Sequence, residues 1–172
     1  MSRHSNKLKA AISCGDINGV GLEVIIKSFL DNRMFEMCTP VVYGQAKTAS
    51  AYRKAVGVQD FSFNFISNKD KVNHKKLNML SVSDNELAIE FGSVAKEPGE
   101  LAYASIKAAT DALASNDADV LITAPIHKQN IPWEHEDIKG HTEYLAHYAN
   151  EDHPLMMMIH ENLRVGVVTG HV

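Results

Sequence analysis

Over residues 8–57 the chain alternates short apolar runs with helical patterns, and this alternation limits the fold more than any other feature. Residues 8–14 read as a short buried strand, and residues 20–29 as a helix with Val20, Val24, Ile25 and Phe29 near one face. Residues 40–44, PVVYG, read as a second strand. The stretch QAKTASAYRKAVG that follows has the Ala, Lys and Arg content of a helix, with Gly57 as its stop. A β-α-β-α order predicts an α/β fold with a mostly parallel sheet.

The later segments extend the pattern. Residues 61–67 alternate apolar and polar side chains and read as a strand, and residues 78–82 as another, with NKDKVNHKK between them as a solvated loop. Pro98 and Gly99 open a long helix whose stripe is Ala102, Ile106, Ala109 and Leu113. Residues 119–125, DVLITAP, form a nearly continuous apolar run of the kind found in a strand covered on both faces. A helix at residues 141–150 and apolar, strand-like runs at 154–161 and 163–171 complete the chain. Met156, Met157 and Met158 read as core, and Trp133, set among Glu134, His135, Glu136 and Asp137, as part of an exposed loop.

Composition narrows the function. An apolar content of 45% over 172 residues is enough to bury a sizeable core. A net charge of -4 with no long Lys/Arg block argues against a nucleic-acid surface and favours a small-molecule partner. Cys14 and Cys38 form no C-x-x-C pair and suggest reduced, mostly buried thiols. The N-terminal apolar run is broken by Gly15 and Asp16 before it reaches the length of a signal-peptide core, and no run approaches a membrane span. A soluble, cytoplasmic protein without a membrane partner is the expectation.

In open parallel sheets, ligands sit beyond the carboxyl ends of the strands. Three segments fall there. In ISCGDINGVGLEVIIKSF, three glycines between a strand and a helix match neither the P-loop nor the dinucleotide fingerprint. Gly19 and Gly21 could present backbone N–H groups to a phosphate or carboxylate, or serve only a tight turn. Asp16 would repel an anion unless it caps the helix or approaches a cation. Lys128, after TAPIH, could pair with a substrate phosphate or carboxylate, or be a solvated surface lysine. His141 and Thr142 open a helix behind Gly140, where the helix N-terminus favours an anionic ligand. His171 ends an apolar run and could ligate a metal.

Four segments in order, GDINGVGLEVII, LITAPIHK, GHTEYLA and MMMIHENLRVGVVTGHV, resemble the 4-hydroxythreonine-4-phosphate dehydrogenase family of vitamin B6 biosynthesis. The resemblance runs from about Ile12 to His171. It implies an isocitrate-dehydrogenase-like α/β/α fold, incomplete here, with residues 1–130 as the first part of the larger domain and 131–172 as the start of the second. It also implies a homodimer with shared active sites, and oxidation of 4-phosphooxy-L-threonine by NAD or NADP followed by loss of CO2 to give an aminoketone phosphate. A divalent metal, Zn, Mg or Co, would stabilise the alkoxide and then the enolate.

By that resemblance His141 and Thr142 hold the substrate, His171 is the first of three metal-ligand histidines, and the glycine loop is a wall of the cleft; Lys128, Asp16, Gly19 and Gly21 are candidate phosphate or cleft contacts. Ile17 and Leu22 stand where the family usually has prolines. Family members are about twice this length, so the remaining metal histidines and most cofactor contacts have no counterpart, and the 172 residues alone are expected to be inactive. A non-catalytic phosphoryl-ligand-binding or dimerisation module, or an acyl-phosphate transferase of the same superfold, are the alternatives.

Overall fold

A computed structural model describes residues 7–168. The chain divides into two compact units, Met1–Pro132 and Trp133–Val172. The first is built on a five-stranded sheet with every neighbouring pair parallel. Its elements are β1 (Leu8–Ser13), α1 (Gly21–Ser28), the short α2 (Met34–Met37), β2 (Cys38–Gly44), α3 (Ala46–Ala55), β3 (Asn64–Ile66), β4 (Asn78–Ser81), α4 (Lys96–Ala114) and β5 (Val120–Thr123). The strand order is β3-β4-β2-β1-β5, with Ala11 opposite Val41 on one side and Leu121 on the other.

Side-chain alternation along β1 sorts the two faces. Ala10, Ile12 and Cys14 join Leu22, Ile25, Ile26 and Phe29 of the α1 region and Ala49 and Tyr52 of α3 in one apolar cluster. Ala11 joins Ala109 and Ala112 of α4 in another. Helices therefore cover both faces, as the β-α-β-α order predicts for an α/β fold. The small residues of α4 let it lie close to β1 and β2.

Several details depart from the sequence reading. The buried stripe of α1 is Leu22, Ile25, Ile26 and Phe29, a regular i, i+3, i+4, i+7 set, while Val20 and Val24 face solvent. The run at 61–67 gives only a three-residue strand, because Phe61 and Phe63 pack edge-to-face before the pairing with β4 begins. β5 is not covered on both faces. It is the sheet's edge among the described residues, and Val120 and Ile122 remain 39% and 46% exposed.

The second unit contains α5 (His141–Ala149) and the antiparallel hairpin β6 (Met156–His160) with β7 (Leu163–Val167). Asn150, in the left-handed region at φ 54, ends α5. Trp133 is half-buried rather than exposed, its ring 5.7 Å from that of Tyr144. Met156, Met157 and Met158 are not core. Neither face of the hairpin is packed over among the described residues, so alternation leaves all three exposed.

Candidate functional site at the sheet's switch point

The chain leaves β1 toward β2 on one side and later returns to place β5 on the other, so the strand order reverses between β1 and β5. The crevice beyond the carboxyl ends of those two strands is where open α/β sheets bind ligands. The glycine loop and the segment after Thr123 meet there. Gly15, at φ +71, sits so close to the end of β5 that a Cβ on it would lie 2.3 Å from the Pro125 carbonyl oxygen. The Asp16 N–H donates to that same oxygen at 3.0 Å. A Cβ on Gly21 would lie 2.7 Å from the Cys14 carbonyl oxygen, so α1 starts directly under the end of β1. These two glycines permit close backbone approach.

Asp16 is 5% exposed, and its carboxylate turns into the protein. Oδ1 accepts from the Asn18 N–H at 2.8 Å, an Asx turn, and Oδ2 accepts from Asn130 Nδ2 at 3.3 Å. Asn130 Nδ2 also donates to the Ala95 carbonyl at 2.8 Å. Asn18 is a second tie: its Nδ2 donates to the Ser93 carbonyl, and its Oδ1 accepts from the Glu90 N–H at 2.9 Å. Tyr52 OH donates to the Gly19 carbonyl at 2.6 Å. The loop is thus fixed by α3, the 90–95 segment and the 125–130 segment. The residues that do this, Asn18, Tyr52, Ser93 and Asn130, carry no motif that marks them in the sequence; the Asx-turn pattern of Asp16-x-Asn18 is the one local clue.

Under the loop, Ser105 of α4 accepts from the Cys14 N–H at 2.8 Å and donates to the Tyr43 carbonyl, linking the ends of β1 and β2. Burial pushes the Cys14 thiol up to about 11, partly offset by its hydrogen bond with Ser105. A thiol so held is neutral at physiological pH and belongs to the core rather than the chemistry.

Of the residues expected at a site, Asp16, Gly19 and Gly21 lie in this loop, and Lys128 is exposed in the 125–130 segment whose Pro125 and Asn130 contact it. Gly19 has room for a side chain, with the nearest atom 3.4 Å from a built Cβ. His141 and Thr142 begin α5 in the second unit, both half-buried, behind an extended Gly140. His171 lies outside the described residues. Among those described, no three His, Cys, Asp or Glu side chains come together as a metal-holding group. No helix among them is long and apolar enough to cross a membrane.

Residues 36–172 match the family model described as pyridoxal phosphate biosynthetic protein PdxA. The chain belongs to the PdxA family. It is 37% identical to a 4-hydroxythreonine-4-phosphate dehydrogenase from Bacteroides thetaiotaomicron over 97% of its own length and 46% of that protein's. It is 29% identical to a candidate D-threonate 4-phosphate dehydrogenase from Fusobacterium nucleatum, covering 51% of it. The crystal structure of the 4-hydroxythreonine-4-phosphate dehydrogenase from Burkholderia phymatum superposes with a TM-score of 0.83 at 30% identity, covering 98% of this chain and 51% of that one. The chain spans about half the length of these PdxA-family relatives.

Proposed function

We propose that this chain supplies the substrate-holding first half of a dehydrogenase that oxidises a phosphorylated hydroxy acid. The observation that carries the proposal is the match to 4-hydroxythreonine-4-phosphate dehydrogenases over nearly all of this chain. In this reading the half-buried His141 and Thr142 hold the substrate. The N-terminus of a nine-residue helix favours the anionic part of such a ligand, the imidazole adds a directed hydrogen bond, and the hydroxyl can donate or accept. The Gly15–Gly21 loop, tied down by Asp16 and Asn130, is a rigid wall of a crevice, with Lys128 as the cation on its rim.

The proposed reaction is oxidation of 4-phosphooxy-L-threonine by NAD or NADP with loss of CO2, in a cytoplasmic homodimer with shared active sites. A divalent metal belongs to the proposal by family resemblance. The described residues supply no ligand set for it, and no step here is routed through it. The 172-residue chain by itself is expected to show no turnover. A second reading, with D-threonate 4-phosphate as substrate, is favoured by the Fusobacterium relative's name.

The test is calorimetry on a fusion of this chain to the second half of the Bacteroides thetaiotaomicron relative, titrated with each phosphorylated acid in turn. Binding of one of them, weakened at least about tenfold (about 1.4 kcal/mol) by His141→Ala and by Thr142→Ala, supports the proposal. A folded fusion that binds neither acid, or binds one equally well in both variants, overturns it.

A further inference from the structure

In the first unit α4 packs over β1, β2 and β5. Beyond it, over β2, β4 and β3, the segment 68–76 folds back across the same face of the sheet. Its composition reads as a solvated loop, yet it is pinned from beneath by Asn78, which is fully buried. Asn78 Oδ1 accepts from the Asn73 N–H and from Asn64 Nδ2, both at 2.8 Å, and its Nδ2 donates to the Asn73 and Pro40 carbonyls, both at 2.9 Å. His74 Nδ1 and Thr39 Oγ1 share a further hydrogen bond at 2.9 Å. With its donors and acceptor occupied in this way, the amide fixes the loop as a roof. Between roof and sheet lies a cavity of about 240 Å³. Its floor is Val41, Tyr43, Leu80 and Ile66, which neighbour one another in register across β2, β4 and β3, and Val72 closes it from the roof.

The mouth of the cavity carries both signs of charge. Lys69 and Asp70 come from the roof, Lys9 from β1 and Asp117 from the turn before β5, and Lys69 and Asp117 form an ion pair across the opening. Lys69 and then Ser115 hold the Asp117 carboxyl below its usual range, so it is an anion at neutral pH. Burial, and then the Asp117 carboxylate, push the Tyr43 phenol above its usual range, so it stays a neutral donor. Two lysines and two aspartates over an apolar floor match a ligand with one charge of each sign and an apolar body. The volume is below the roughly 300–1,000 Å³ of pockets that take drug-sized ligands, which limits that body to about one side chain. We propose that this cavity binds a free amino acid with an apolar side chain. Its ammonium pairs with Asp117, its carboxylate with Lys69, and its side chain lies over Val41, Ile66 and Leu80. An exposed ion pair contributes little, so the Lys69–Asp117 pair opens easily for a zwitterion that replaces one pair by two. The inference goes beyond the proposed oxidation and does not depend on it.

The experiment titrates the isotope-labelled 172-residue chain with L-leucine and with L-phenylalanine and follows the backbone amides by two-dimensional NMR. Expected are saturable shifts at Ile66, Val72 and Leu80, with a dissociation constant of about 1 mM or tighter for at least one of the two. Isocaproate and isopentylamine, which keep the leucine side chain and one charge each, should bind at least about tenfold more weakly than leucine, and glycine, which keeps both charges and no side chain, likewise. Asp117→Asn and Lys69→Gln, on the solvent side of the cavity, should each weaken leucine binding about fivefold or more. Lys27→Gln, the same change of charge on α1 and the opposite face of the sheet, should not. The proposal is overturned if neither amino acid gives a saturable shift by about 10 mM, or if the shifts fall away from the cavity. It is equally overturned if either singly charged analogue binds as tightly as leucine, or if folded Asp117→Asn and Lys69→Gln bind leucine like the unaltered chain. The analogue comparison needs no variant, so it decides the matter even where a substitution unfolds the chain.

Discussion

Gly15→Ala should be among the most damaging small substitutions in the first unit, and Gly57→Ala provides its internal control. Both glycines lie in the left-handed region, at φ +71 and +74, so an alanine at either carries a similar backbone penalty of roughly 1–2 kcal/mol. Gly57 has nothing within 4 Å of a built Cβ, and its cost ends there. At Gly15 the new Cβ would lie 2.3 Å from the Pro125 carbonyl oxygen and 3.0 Å from the Ala124 Cβ. The first contact is with backbone, so the end of β5 must move. Relieving such a clash costs about 1–3 kcal/mol. The movement also pulls Pro125 O from the Asp16 N–H, a buried bond of 3.0 Å, at about 1 kcal/mol more. Gly15→Ala should therefore destabilise by about 2–4 kcal/mol beyond Gly57→Ala. Urea unfolding followed by far-UV circular dichroism measures this difference. Trp133, the single tryptophan and a member of the second unit, follows that unit separately by fluorescence. Equal losses in the two variants, within about 0.5 kcal/mol, would refute the close approach of the β1 and β5 ends.

Three further outcomes follow from the same region. Ser105→Ala removes a hydroxyl that serves the Cys14 N–H and the Tyr43 carbonyl, leaving both buried and unpaired, and should cost about 2–4 kcal/mol in the same urea assay. Cys14, pushed up from 9.0 to about 11, is protonated in the folded state where the unfolded thiol would ionise. Its contribution is present below pH 9 and lost between 9 and 11, on the order of 2–3 kcal/mol, and a thiol reagent at pH 8 should label the half-buried Cys38 long before Cys14. Asn130→Asp sets a second carboxylate 3.3 Å from Asp16 Oδ2, which raises the pKa of one of the pair; its stability should lie nearest the unaltered chain's at pH 4 and fall by about 2 kcal/mol or more toward pH 7, whereas a flat profile would contradict the Asp16–Asn130 contact.

Periodicity and turn chemistry made most of the first unit legible. The strand at β1, the glycine turn, the helix behind it and the small-residue stripe of α4 follow from residue types that have few other uses in that order. Helix rotation was less so: Val20 and Val24 are as apolar as Leu22 and Ile26, and only the packing partner decides which set turns inward. Apolar runs also say nothing of what covers them, and for that reason Val120 and Ile122 of DVLITAP and the three methionines read as interior when the described residues leave them exposed. At the site, Asp16 was visible as an anomaly in an anion-type loop. Its resolution lay in Asn130 and Asn18, whose amides act across 114 and 75 residues of sequence, on Asp16 and Ser93, and leave no local pattern.

Whether this sequence is half of a working dehydrogenase site is decided most directly by one rate. It is the rate of NADH or NADPH formation from 4-phosphooxy-L-threonine, with a divalent metal, measured for the fusion of this chain to its relative's second half and for the 172-residue chain alone. Substrate-dependent turnover by the fusion that His141→Ala abolishes, and none from the chain alone, is the expected result. Turnover by the 172 residues unaided, or a folded, substrate-binding fusion with no oxidation under either cofactor, would be incompatible with it.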